Sequence, residues 1–98
     1  MKTLAERMHE DQRLVILRVL ASLPGYTSNS SVLFTELNRM GHRVSRDLVK
    51  THLRWLAEQA LIGIDEPVDG VLVATLTERG GDVAAGNAVV PGVNRPSA

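Results

Sequence analysis

Gly41 lies between two segments whose apolar residues recur at helical spacing, and this restricts the fold more than any other feature of the chain. In "VLFTELNRM", residues 32 to 40, Leu33, Leu37 and Met40 fall at i, i+4 and i+7 and predict one inward face. Glycine adopts a left-handed backbone at least cost, so Gly41 is placed to end that helix at its C′ position. Ser45 is then placed to cap a second helix, "SRDLVKTHLRWLAEQALI", residues 45 to 62. Two helices joined by a turn of this length that opens on glycine match the helix-turn-helix pattern.

The second helix has two unlike sides. At about 100° per residue, Val49, Leu53, Leu56 and Ala60 share an inner arc, Lys50, Arg54, Asp47 and Thr51 sit across from it, and Arg46 lies at the margin. The formal net charge is zero, yet residues 1 to 54 hold nine cations and five anions whereas residues 55 to 98 hold two and six. A cationic half containing Arg39, Arg43, Arg46, Lys50 and Arg54 points to a polyanion-facing surface, against the alternative of a solvated face. His52 falls on the inward edge, as a hydrogen-bonded core histidine. Trp55, near the boundary of the arcs, is expected to pack on the first helix or on a partner subunit.

The rest of the chain supplies the elements around this pair. Thr3 and Glu6 form a capping-box pattern at the start of a helix that runs to about Ser22, where Pro24 and Gly25 stop it. Its apolar surface includes Met8, Val15, Val19 and Leu23 and spreads to Ile16, Leu17 and Leu20, so it needs a second burial partner. A later helix or a symmetric dimer meets that need equally well. "GYTSNSS", residues 25 to 31, reads as a polar loop ending in N-cap serines. After the helix pair, Val71 to Leu76 alternates as a strand, Asp69-Gly70 is a turn signal, and Ile62 to Ile64 supplies the partner strand. Thr77 caps a short helix, "ERGGDVAA", weakened by Gly80 and Gly81. The domain is expected over residues 1 to 86, with residues 87 to 98 as an extended tail.

Composition excludes several classes. With no cysteine, disulfides, thiolate metal sites and cysteine nucleophiles are ruled out together. No other zinc-ligand motif, glycine-rich phosphate loop or nucleophile elbow occurs, so no enzyme, metal or cofactor is expected. The longest apolar run, residues 14 to 17, cannot span a bilayer, and a cytoplasmic protein is expected. At 98 residues the core is small, which favours a homodimer.

These residues carry a family resemblance. "DQRLVILRVL" resembles the first helix, and "SRDLVKTHLRWLAEQALI" the recognition helix, of bacterial ArsR-like and MarR-like regulators; "ATLTERG", residues 74 to 80, is similar to the end of their wing. Over nearly its whole length, including "VPGVNRP", residues 90 to 96, the chain resembles small winged-helix proteins of Mu-like phages and prophages. The resemblance implies a mainly α protein with a small β-hairpin, an α+β winged helix-turn-helix, acting as a dimeric transcription regulator on double-stranded DNA. Metal sensing is not carried over. In this chain Ala60 replaces the glycine usual before the final "LI", and the wing bears Asp65, Glu66 and Asp69 with no Lys or Arg.

If the helix enters a major groove, Arg46 and Lys50 suit guanine acceptors, Asp47 the cytosine amino group and Thr51 a thymine methyl. Arg54, Arg43 and Arg39 are expected on phosphates. The competing expectation is a protein interaction module whose acidic wing engages a basic partner.

Overall fold

In the computed structural model, which describes residues 1 to 96, the first helix, α1, runs over Leu4–Ser22. Thr3 caps it by accepting from the Glu6 amide at 3.1 Å, and the Thr3 hydroxyl donates to Glu6 Oε1 instead of the backbone completing a reciprocal box. After a single 3-10 turn at Pro24–Tyr26 come β1 (Thr27–Asn29), α2 (Ser30–Arg39), α3 (Arg46–Glu58), β2 (Ile62–Val68), β3 (Val71–Leu76) and α4 (Glu78–Ala85). The architecture is α+β, with four helices and one three-stranded antiparallel sheet of order β1-β3-β2 among the described residues. This order of elements is compatible with a winged helix.

β1 corrects the loop expected over residues 25 to 31. Thr27, Ser28 and Asn29 pair with Thr75, Ala74 and Val73, and the Thr27 and Thr75 hydroxyls meet at 3.0 Å. A polar strand of this kind is held by its ladder and cross-strand hydroxyls, so no apolar alternation announces it. The cap of α2 is accordingly Asn29, whose side chain accepts from the Val32 amide at 2.8 Å, and not one of the serines. Ser30 faces inward and accepts from the Leu72 amide at 3.3 Å, tying α2 to the sheet.

The helix pair closes as expected at Gly41, with φ +92 and the His42 and Gly41 amides donating to the Leu37 and Asn38 carbonyls. Met40, expected on the inward stripe, is 55% exposed. It is the C-cap residue, so it has left the helical register and lies over α1. Leu33 and Leu37 remain in the core, with Leu17 and Leu20 of α1, Val49, Leu53 and Leu56 of α3 and Leu72 of β3. Burying each such side chain contributes about 1.5–3 kcal/mol, and this common core fixes α3 against α1 and α2.

The hairpin turns at Asp69-Gly70, and β2 extends past Ile64 through an irregularity between Asp65 and Val68. Pro67, which has no amide hydrogen to donate, sits inside that irregular stretch. At the other end Thr77 caps α4 by accepting from the Gly80 amide. The segment after Gly86, expected as an extended tail, has no regular structure but folds back over α1 and α3. Val90 and Val93 are buried, and the Asn94 amide donates to the Glu10 carbonyl at 3.1 Å. Residues 97 and 98 of that expected tail lie outside the described residues.

Candidate nucleic-acid interface

Ser45 caps α3 by accepting from the Leu48 amide at 3.0 Å, and the helix then buries Val49, Leu53 and Leu56 completely. With those three fixed, helical spacing turns Asp47, Thr51 and Arg54 outward and keeps Arg46 at the margin, all four exposed, and leaves Lys50 half-buried. Asp47, Lys50, Thr51 and Arg54 therefore share one face, with Arg46 at its edge.

Each cation on that face has a neighbour that shapes what it can do. The Arg46 guanidinium lies 4.5 Å above the Phe34 ring and donates to the Ser31 hydroxyl at 3.1 Å, so it rests back on α2. Lys50 reaches toward the hairpin tip, where its Nζ is 3.9 Å from the position a Cβ would take on Gly70. Arg54 Nη2 stands 4.0 Å from Glu66 Oε1 of β2. Glu66 is itself held, because its other oxygen accepts from the Gly70 amide at 2.8 Å and closes the turn. Arg39 pairs with Glu36 at 3.1 Å, and Arg43 is exposed in the connecting turn with no ion pair among the described residues. The hairpin thus borders α3 at Lys50 and Arg54, while Arg46, Asp47 and Thr51 are exposed to solvent. Arg54, Ala57, Glu58, Ile64, Asp65 and Glu66 line a shallow groove between α3 and β2.

Behind this face lies a buried polar cluster whose members are far apart in sequence. His52, 1% exposed, shares a 2.8 Å hydrogen bond with Gln12 Oε1 and accepts from Arg13 Nε at Nδ1 over 3.2 Å. Arg13 also donates from Nη1 to the Gly92 carbonyl at 2.9 Å and covers the Trp55 ring at 4.2 Å. One guanidinium therefore joins α1, α3 and the C-terminal segment. Burial, then Arg13, then His9 push the imidazole down to about 4, so it is neutral at physiological pH. Burial also lowers Arg13, opposed by Glu10. The available signal is the polar run His9, Gln12 and Arg13 on the same side of α1 as the buried Ile16 and Leu20. No described side-chain N or O atom is buried without a partner. No group of three His, Asp or Glu side chains among the described residues is placed to hold a metal, and no helix among them is long and apolar enough to cross a membrane.

Fold and face together define a small α+β protein that presents a charged helix beside an acidic hairpin. By sequence the chain belongs to the family of protein gp26 of Escherichia phage Mu, with which it is 51% identical over 87 residues, 89% of this chain and 88% of the phage protein. A protein of Haemophilus influenzae is 50% identical over 74 residues, 76% of this chain and 72% of its own length. Both relatives are described as uncharacterized proteins, and the first agrees with the phage relationship that the sequence motifs imply. No protein-family model matches the chain, and no solved structure matches it significantly.

Proposed function

We propose that this protein is a winged helix-turn-helix regulator of phage or prophage transcription, acting in the host cytoplasm and reading double-stranded DNA with α3. The supporting observation is the solvent-facing N-terminal half of α3, where Asp47 and Thr51 are exposed on the side opposite Val49, Leu53 and Leu56, and Arg46 is exposed at the margin of that side. In a major groove Arg46 and Lys50 would address guanine, Asp47 cytosine and Thr51 thymine, while Arg43 and Arg39 hold phosphates. Lifting Arg46 off Phe34 costs about 0.5–1 kcal/mol at an exposed site. The hairpin lies along no phosphate in this reading, because Asp65, Glu66 and Asp69 would be repelled. Arg54 is released from Glu66 at little cost, since an exposed pair contributes about 0–1 kcal/mol.

The same acids favour a second reading, in which the winged helix is a protein interaction module and the hairpin engages a basic partner. Selection from a random duplex library separates the two. A DNA reader enriches a motif, binds it with an affinity that falls steeply with salt, and loses about 10-fold or more on Lys50→Ala. No enrichment, together with weak binding that ignores both salt and Lys50→Ala, removes the DNA reading and leaves the module.

A further inference from the structure

α1 carries an outward ridge that other described segments only border, His42 and Asn94 at Asp11 and Met40 beside Val15 and Val19. Leu4 and Met8 are 65% and 42% exposed, and farther along a groove opens between Val15, Arg18, Val19, Ser22 and the exposed Met40. Arg18 is exposed and forms no ion pair among the described residues. Steps of four and seven residues return Leu4, Met8, Asp11, Val15, Arg18 and Ser22 to one side of the helix.

The geometry points to this ridge as the contact between two copies of the chain, packed with their α1 helices antiparallel about a twofold axis beside Val15. The case is self-complementarity, which a twofold interface requires. When the antiparallel pair is centred between Leu14 and Val15, residue 11 of one helix stands level with residue 18 of the other. A twofold axis perpendicular to both helices keeps each flank of the seam on its own side. Asp11 and Arg18 project from the same flank, so the contact sets Asp11 against Arg18 twice. Met8 projects from the opposite flank, the one that bears Val19, and comes level with the partner's groove beside Ser22. The ridge thus holds an acid and a base, a protruding methionine and a groove, each placed where its counterpart falls. Asp11 Oδ2 already holds His42 Nε2 at 3.0 Å and its Oδ1 accepts from Asn94 Nδ2 at 3.4 Å, but the carboxylate is 44% exposed and each oxygen keeps a second acceptor site. None of the α3 face takes part, so the inference does not rest on DNA binding.

Sedimentation velocity at high micromolar concentration should show the wild type as a dimer. Arg18→Glu and Asp11→Lys each set like charges opposite one another and should weaken association about 10-fold or more. Mixing the two variants restores opposite charges at both pairs and should restore the dimer as a heterodimer. Circular dichroism melts accompany each variant. Arg18→Glu loses no ion pair among the described residues, so it decides the matter alone should Asp11→Lys fail to fold. A monomeric wild type, a dimer indifferent to Arg18→Glu, or folded variants whose mixture stays monomeric would each overturn the inference.

Discussion

His52 Nδ1 accepts a hydrogen bond from Arg13 Nε at 3.2 Å, which places the imidazole proton on Nε2, where it donates to Gln12 Oε1. A second proton on Nδ1 would displace that donor and set two cations together, with His9 5.2 Å away across an edge-to-face contact. Burial first, and these neighbours second, hold His52 at about 4 instead of its ordinary 6.5.

Stability therefore depends on pH with a definite sign. Between about 4 and about 6.5 the unfolded chain binds a proton that the folded chain refuses, so this contribution is intact above that window and lost as pH falls through it. The loss should be on the order of 2 kcal/mol. Urea unfolding at about pH 7.5 and about pH 4.5 should show it in the wild type and much less of it in His52→Gln, whose side chain does not titrate. Equal pH dependence in the two proteins would disprove the assignment.

A second prediction concerns the end of α3. Ala60 adopts φ +60 so that the Leu61 and Ala60 amides can donate to the Leu56 and Ala57 carbonyls. An L residue with a Cβ pays roughly 1 kcal/mol or more for that conformation, and glycine avoids it. Ala60→Gly should raise stability by about 1 kcal/mol, whereas Gly41→Ala, with φ +92 at the matching end of α2, should lower it by a similar amount. Denaturant midpoints measure both; a destabilised Ala60→Gly would contradict the geometry.

What could be read from the sequence divides along physical lines. Helices α1, α2 and α3 and strand β3 were legible because burial on one face leaves a period, as in Leu33 and Leu37 or the alternation from Val71 to Leu76. The outward face of α3 followed from the same arithmetic. β1 was not legible, since Thr27 to Asn29 is held by backbone pairing and a hydroxyl contact instead of by apolar burial. The placement of the cations was equally hidden. Arg54 meets Glu66, and Arg46 meets Phe34, through contacts 12 residues apart in the chain, and only the packing of one element on another decides such encounters. The C-terminal segment reads as a tail because Val90 and Val93 have no period, yet both are buried.

Gly80 separates propensity from packing. Both Gly80 and Gly81 weaken α4 by helix propensity, about 1 kcal/mol each relative to alanine. A Cβ on Gly80, however, would overlap the Leu61 carbonyl oxygen and crowd Leu76 Cδ1 at 2.7 Å, while one on Gly81 would meet only Leu76 Cδ2 at 3.8 Å. The turn after α3 and the first turn of α4 touch through backbone there, and the Thr77 amide donates to that same Leu61 carbonyl. Gly80→Ala should therefore destabilise by about 2–3 kcal/mol and Gly81→Ala stabilise by up to about 1 kcal/mol. Thermal melts that rank the two the other way round would refute the close approach.

Gly92 makes the corresponding contact for the C-terminal segment. Its φ is +100, and a Cβ there would lie 2.5 Å from Trp55 Cζ2 and 2.6 Å from Cη2. The ring has little room to retreat, because the Arg13 guanidinium covers it at 4.2 Å while donating to the Gly92 carbonyl at 2.9 Å. Gly92→Ala must then push the segment off α3 or turn the ring out, at about 2–3 kcal/mol. Trp55 is the chain's single tryptophan, so its emission reports the event directly. Gly92→Ala should shift that emission to the red and lower the denaturant midpoint. Val93→Ala, which trims a buried side chain without touching the ring, should cost about 1–2 kcal/mol and leave the emission in place. If both variants leave the emission unchanged and Gly92→Ala is no less stable than Val93→Ala, the segment is not clamped between Arg13 and Trp55.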